Sequence, residues 1–427
     1  MKYIYALLYL FVLAATQEAA AQKNKKPQVL VYGSDILAYT AALQSVQSGV
    51  PTLWVADVDT LVPEFSTRAV RIDEPRDLDG GLWLHLLMDM ALSKKRDDSL
   101  ASVVKLDMNP RLFLNAMERS LTKYPDLQII RKQKLHALKY DGKTWAVQLD
   151  NKQKYNVRCI IDASAGQRLG AIAGIGGKDI SDVPALTSLH EASLETLRTL
   201  VAAGSVDQET YGISLAQLLQ GEQNGFFSLA EVKAFLDSTP ADAARRSALG
   251  QALGATAAYL AFFKTDAAKI DVRKLQSELM TYGMRIMPYA DVKIDDPHYY
   301  ALQRFGLSAI FPLQGHDGQF LLEREETISL QSIQPVFQRL YSRSQLWFAD
   351  NKGDLLKWDD FLSLLRFVGL RGEEVDRQVE KDWTTKLKFA GHFDRAAYVS
   401  RYQFAVVLDL YASPYVKAVS QEGMFIN

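Results

Sequence analysis

Apolar residues in the first part of the chain fall into short unbroken runs and helically spaced sets. Val29-Leu30-Val31-Tyr32 is a run of strand length, closed by Gly33. Leu37, Ala41, Leu43 and Val46 then recur largely on one face of a helix that ends at Gly49. A second strand run, Thr52-Leu53-Trp54-Val55, leads to Asp57. Strand, glycine turn, helix and strand in this order make a βαβ unit. Further on, Asn109-Pro110 opens a helix predicted over 111–123, with Leu112, Leu114, Ala116, Met117 and Leu121 on its apolar face. Leu127-Gln128-Ile129-Ile130 reads as a strand, and segments 134–140 and 144–149 flank the hairpin signal Asp141-Gly142. Cys159-Ile160-Ile161 is one more strand run. Helices are predicted over 186–202, 215–219 and 229–236, then over 328–341 (interrupted by Pro335), 358–368 and 401–411, with a turn cluster at 314–319.

The turn inside the βαβ unit carries the first candidate chemistry. A dinucleotide-binding turn uses glycines so that backbone N–H groups approach a diphosphate at the helix N-terminus, and an acid after the second strand takes the ribose hydroxyls. Here the turn reads Gly33-Ser34-Asp35-Ile36-Leu37-Ala38. It keeps the first glycine of G-x-G-x-x-G, has a small residue, Ala38, at the third, and places Asp35 at the second. A carboxylate there repels a diphosphate unless it turns to solvent or caps the helix. The acid position falls on Ala56 or Asp57, depending on one residue of register. A structural βαβ unit without nucleotide is the competing reading of this turn.

Four stretches in order resemble the FAD-dependent oxidoreductases of the glutathione-reductase-like Rossmann superfamily, in particular a secreted bacterial branch. They are the βαβ unit, the segment Arg158-Cys159-Ile160-Ile161-Asp162-Ala163-Ser164-Ala165-Gly166 and its continuation to Ile175, the small-residue helix around Gly250-Gln251-Ala252-Leu253-Gly254, and the tail from Ile270 to Pro312. The resemblance implies an α/β fold with an FAD/NAD(P)-binding Rossmann-type three-layer core. It implies FAD as cofactor, with Gly33 and Ser34 giving N–H groups to the diphosphate, Ala38 allowing close approach, Asp57 on the ribose, and Ser164, Ala165 and Gly250 lining the nucleotide. Gly250, Gly254, Ala257 and Ala258 also suit a helix that approaches another backbone closely. Phe393-Asp394 and Ser400-Arg401-Tyr402-Gln403-Phe404-Ala405 resemble an S-layer-homology-type repeat, with a fainter partner from Asp296-Pro297.

The departures from the family shape the functional reading. Segment 176–245, where a substantial substrate domain is usual, has about seventy residues and reads mostly as helix, so the middle is shortened. Ser164-Ala165 stands in place of Thr-Gly, and Gly166 and Arg168 in place of acids. No Cys pair or acid–base dyad marks a catalytic residue. The organisation expected is a leader over 1–21, a discontinuous FAD-binding-like domain over 22–290 with a short helical insertion at about 176–245, and a helical C-terminal unit over 291–427. Trp347, Trp358, Trp383 and Tyr402 of that unit are read as core aromatics, with a sugar-binding surface as the alternative.

Composition narrows the classes further. The chain has 427 residues, 49 Lys+Arg and 50 Asp+Glu, a net charge of −1, and no basic stripe, which argues against a nucleic-acid partner. One cysteine and six scattered histidines give no metal-ligand pattern. Lys2, the apolar run 4–15 and Ala19-Ala20-Ala21-Gln22 form a signal-peptide pattern, so export to the periplasm or the exterior is expected, with no transmembrane segment in the mature chain. The functional expectation is an exported flavin oxidoreductase acting on a small molecule of undetermined identity. The alternative is a flavin-free, non-catalytic descendant that serves as an envelope scaffold or binds cell-surface glycan.

Overall fold

The computed structural model describes residues 25–164, 166, 168–175, 187–207, 209–229, 242–313, 315–316 and 318–426. The segment expected to be a leader, Ala165 and nearly all of the helix expected over 229–236 lie outside the described residues.

The first half is three layers built on one parallel sheet. Strand β1 (Val29–Tyr32) is followed by helix α1 (Ile36–Gln47) and strand β2 (Thr52–Val55). Helices α2 (Pro63–Ser66), α3 (Gly81–Met90), α4 (Asp98–Leu106) and α5 (Pro110–Leu121) lead to β3 (Leu127–Ile130). The meander β4 (Leu135–Tyr140), β5 (Trp145–Leu149) and β6 (Lys154–Val157) precedes β7 (Cys159–Asp162), which pairs in parallel with β1 on the side opposite β2. Chain order therefore reverses across β1, and in such sheets ligands bind at the carboxyl ends of the strands beside that switch. All four residues of β1, β2 and β7 are buried, because both faces of the sheet are covered. Val29, Val31, Trp54 and Ile161 pack in the helix-side core, while Leu30, Tyr32, Leu53, Val55 and Ile160 join Leu135, Trp145, Val147 and Leu149 of the meander.

Short helix α6 (Leu169–Ala173) comes after β7. The insertion beyond it differs from the expected helical segment. Its described residues form an antiparallel sheet of β8 (Thr187–Ser188), β9 (Leu200–Val206) and β10 (Glu209–Ser214), and only Leu194–Arg198, helix α7, is helical within 187–202. Ser193 caps that helix and Thr199 ends it. The run from Leu200, expected to be helical, is a buried strand, a pattern that periodicity alone cannot separate from a buried helix. Helix α8 (Leu215–Leu219) has the expected limits, fixed by a Ser214–Gln217 capping box. Strands β11 (Glu222–Gln223) and β12 (Phe226–Phe227) then extend the main sheet, giving the order β11-β12-β7-β1-β2-β3.

Helix α9 (Ala243–Phe263) returns across the helical face and lies against α1. A Cβ at Gly250 would press on the Leu37 carbonyl, and one at Gly254 on the Ala41 carbonyl, so both glycines are required by backbone contact. Thr40 Oγ1 donates to the Ser247 carbonyl at 3.1 Å across the same seam. Helix α5 matches the expected element, with Asn109 as its cap, but its buried face is Phe113, Ala116 and Met117. Leu112 and Leu114 are exposed because Phe113 turns inward onto Phe65, ring centroids 5.4 Å apart.

The remaining helices are α10 (Val272–Thr281), α11 (Tyr299–Ser308), α12 (Leu330–Leu340), α13 (Ser344–Asp350), α14 (Trp358–Gly369), α15 (Glu374–Asp382) and α16 (Arg401–Tyr411). Just before α12, α14 and α16, Ile328, Leu356 and Val399 form a closed backbone ring. Ile328 N–H donates to Val399 O at 3.2 Å, Val399 N–H to Leu356 O at 2.9 Å, and Leu356 N–H to Ile328 O at 2.8 Å. All three side chains are buried. Trp347, Trp358 and Trp383 are buried as well, the last two 5.0 Å apart, so they form core and not a sugar-binding surface.

Arg198 joins the insertion to this C-terminal unit. It is buried and donates to the carbonyls of Ser308 at 3.3 Å, Ala309 at 3.2 Å and Gly423 at 3.2 Å, beneath the Phe425 ring. Arg198→Met leaves those three carbonyls without their donor and is expected to cost about 3 kcal/mol of stability. The check is a lower urea midpoint at unchanged m-value.

Candidate functional site

The site expected from topology lies where β1 and β7 end. Gly33 has φ of +153°, and a Cβ there would fall 2.5 Å from the Ala163 carbonyl oxygen, so the turn after β1 needs glycine for contact with the turn after β7. Ser34 offers its carbonyl to Val62 N–H at 2.6 Å. That bond straps segment 61–66 against the turn, with Val62 in the left-handed region at φ 49° and Pro63 opening α2.

The N-terminus of α1 is occupied by the protein's own carboxylates. Asp35 is the N-cap, its Oδ1 accepting from Ala38 N–H at 2.9 Å. Glu64 Oε1 accepts from Ile36 N–H at 2.8 Å. Arg246, in the first turn of α9 and buried, binds Asp35 through Nη2 and lies 3.7 Å from Glu64 through Nη1. Burial raises the Glu64 carboxyl above its ordinary range, the neighbouring Asp35 raises it further, and Arg246 opposes both. The Gly33 N–H, expected on a diphosphate, donates instead to the Val55 carbonyl at 3.1 Å, and the Ile36 and Ala38 N–H groups serve carboxylates, so the residues present do not fit a dinucleotide diphosphate in this arrangement.

The second helix that the family resemblance turns toward the cofactor is treated the same way. Glu74 Oε2 accepts from Ala244 N–H at 2.8 Å, at the start of α9. Its enclosed carboxyl is pushed up to about 8, chiefly by burial, with Asp79 and Asp242 adding to the rise and the Ala244 N–H and Lys105 opposing it. Behind it, Lys105 forms a fully buried ion pair with Asp79 at 2.6 Å and donates to the Glu74 carbonyl at 2.9 Å. Sequence reasoning missed Glu64 and Glu74. Both sit between β2 and α3, outside any periodic segment, and Pro63-Glu64 is the one local sign of a helix start there.

The register after β2 is settled: Ala56 is buried, and Asp57 is the partly exposed acid, with its Oδ2 3.7 Å from Arg168 Nη1. Ser164 is held by Asp162, through its N–H at 3.1 Å and its Oγ at 2.6 Å, and Asp162 also accepts from Leu169 N–H at 2.8 Å. Buried Asp162 therefore organises the turn after β7 and the start of α6. Ala38 is buried in the first turn of α1. Gly250 serves the α1–α9 seam, where a Cβ would meet the Leu37 carbonyl and the Thr40 hydroxyl. Ala165 lies outside the described residues. Cys159 is buried and its thiol is pushed up to about 12 by burial, so it is no nucleophile. A groove of about 600 Å³ runs along the β3 edge, lined by residues that include Gln128, Arg131, Asn151 and Tyr155, none of them among the expected site residues. Among the described residues no cluster of His, Cys, Asp and Glu is placed to hold a metal ion, and no helix is long and apolar enough to cross a membrane.

These features define a Rossmann-type α/β fold, with the turn after β1 closed from within. No family model matches the chain, and no curated protein matches it. Solved structures similar to part of it include tetracycline destructase Tet(51), at 14% identity over 39% of this chain and 44% of that one, TM-score 0.26. Others are the bacillithiol disulfide reductase Bdr (YpdA) of Staphylococcus aureus, at 11% identity, 33% and 38% coverage and TM-score 0.23, and OTEMO in an FAD-bound form, at 16% identity, 33% and 26% coverage and TM-score 0.24. The chain spans less than half the length of each, and the fold class rests on the strand order and layers described above.

The Glu74 proton gives a pH signature. Folded protein keeps a proton that the unfolded chain releases above its ordinary carboxylate value, 4.5, so Glu74 makes stability fall as pH rises from there through about 8. Glu74→Gln keeps an acceptor for the Ala244 N–H without the titration. The variant is expected to lose less Tm than the parent between pH 5 and pH 8, measured by calorimetry at matched ionic strength.

Proposed function

We propose that this protein is a flavin-free, non-redox descendant of the FAD/NAD(P)-binding Rossmann class, exported and working as a binding or scaffold protein of the cell envelope. The observation that carries the reading is the occupation of the α1 N-terminus: Ile36 and Ala38 N–H groups are bonded to Glu64 and Asp35, and Arg246 completes the charge set. The leader pattern of Lys2, the 4–15 apolar run and Ala19-Ala20-Ala21 supports export. The shortened middle segment supports the absence of a substrate enclosure, since flavin chemistry needs a water-excluding pocket over the ring. The competing reading is an exported flavin oxidoreductase on an unidentified small molecule, and the strand order with its switch at β1 favours it.

The purified mature chain separates the two. It is expected to show no flavin bands in its visible absorbance and to take up none after incubation with excess FAD and gel filtration. Recovery of roughly one flavin per chain would establish the oxidoreductase reading instead.

The second part of the proposal concerns the C-terminal unit. The hydrogen-bonded ring of Ile328, Leu356 and Val399 gives α12, α14 and α16 equivalent starts. The S-layer-homology-type likeness of segment 400–405 is the ground for proposing attachment to cell-surface glycan; its fainter partner from Asp296-Pro297 leads into α11, outside this ring. Full-length protein is expected to co-sediment with isolated cell-wall glycan and to stay in solution with an unrelated insoluble polysaccharide. Equal sedimentation with both, or with neither, removes the glycan role.

A further inference from the structure

We infer that Asp35 and Glu64, gathered by Arg246, are a built-in anionic ligand that takes the place of a dinucleotide diphosphate and holds α1, α2 and α9 together. The inference rests on the flavin-free reading and names what replaced the cofactor.

The N-terminus of a twelve-residue helix carries a partial positive charge and unpaired N–H groups. In a dinucleotide enzyme, a bound diphosphate satisfies both. Here two carboxylates do so from within the chain, at 2.8 Å and 2.9 Å from N–H donors. They come from different elements, Asp35 from the turn itself and Glu64 from α2, so together they bridge two elements as a ligand would. Arg246 brings a third element, α9. Its guanidinium is buried, and its Nε has no hydrogen-bond partner among the described residues. A buried guanidinium with a free N–H, paired to these two carboxylates, is a cation held for anions.

The arrangement is fixed and does not work as a lid. The Ser34 carbonyl holds Val62 N–H, and Phe65, on the same short helix as Glu64, is fully buried against Trp83 and Phe113. Phe65 thereby fixes the backbone of α2 beside the α1 N-terminus, within reach of the Glu64 carboxylate.

The test removes the internal anions and offers an external one. Wild type and Asp35→Gly/Glu64→Ala are melted with and without millimolar inorganic pyrophosphate. Wild type is expected to show no shift. The double variant, with buried Arg246 uncompensated, is expected to melt roughly 4–8 °C lower and to recover at least half of that loss with pyrophosphate. A variant that melts like wild type, or one that ignores pyrophosphate, overturns the inference. So does a wild type stabilised by pyrophosphate as strongly as the variant.

Should the double variant not fold, Arg246→Met supplies a second reading. It leaves Asp35 and Glu64 facing each other without a cation, so the folded state binds protons more readily than wild type does. Its Tm deficit relative to wild type is then expected to shrink as pH falls from 7 to 5, and a deficit independent of pH overturns the inference. A yellow wild type that retains FAD sinks the flavin-free reading itself. A colourless wild type with an unresponsive double variant sinks this inference alone.

Discussion

The contact of α9 with α1, backbone against backbone, sets the electrostatics where these two helices begin. Gly250 and Gly254 allow it, since any side chain there would strike the Leu37 or Ala41 carbonyl. Once α9 lies in that groove, its first turn stands above the first turn of α1. Two arginines, Arg245 and Arg246, occur in that first turn of α9, where cations oppose the helix dipole. They are tolerated because carboxylates meet them: Asp242 at 3.0 Å from Arg245, and Asp35 and Glu64 around Arg246. Helix placement thus creates an electrostatic demand that Asp242, Asp35 and Glu64 meet.

That demand explains why the region is polar yet closed. Ion pairs out of water cost several kcal/mol in desolvation per ion, and only good geometry with further hydrogen bonds offsets the loss. Each carboxylate here has such bonds: Asp35 and Glu64 to α1 N–H groups, Glu74 to α9, Asp79 to Lys105 and the Trp83 indole. Glu64 and Glu74 still carry raised proton affinity because burial outweighs these bonds. An external diphosphate would have to displace groups tethered to the same backbone, which lose no translational entropy by remaining.

How much of this is legible in the sequence depends on where the controlling contacts come from. Strands β1, β2 and β3 have the expected limits because they are uninterrupted runs that pair side by side in one sheet. The α1–α9 seam is legible from small residues at helical spacing. The capping role of Asp35 is one of the options its position allows, and the structure selects it. Glu64 and Glu74 are not legible, since each acts on a helix that does not adjoin it in sequence: Ile36 lies 28 residues from Glu64, and Ala244 lies 170 from Glu74. The β8–β10 sheet escapes detection because Leu200–Val206 lies in a nonperiodic apolar run, and its strand state is decided by pairing with β10. On α5, tertiary packing of one phenylalanine overrides a face drawn from leucines.

The C-terminal unit obeys the same logic of internal completion. Its three helices begin on a ring in which each of Ile328, Leu356 and Val399 gives one N–H bond and takes one, so no member has a free edge toward the others. A strand edge left open invites pairing with another chain, and closure into a ring removes that invitation without a long sheet. Arg198 then fastens the insertion to α11 and to the tail at Gly423, a residue whose Cβ would collide with the Glu195 carbonyl. Internal groups thus bond helix-start N–H groups in both halves, carboxylates at Ile36, Ala38 and Ala244 in one and a three-way backbone ring in the other. At the turn after β1 the Gly33, Ile36 and Ala38 N–H groups are committed in this way, to the Val55 carbonyl, Glu64 and Asp35.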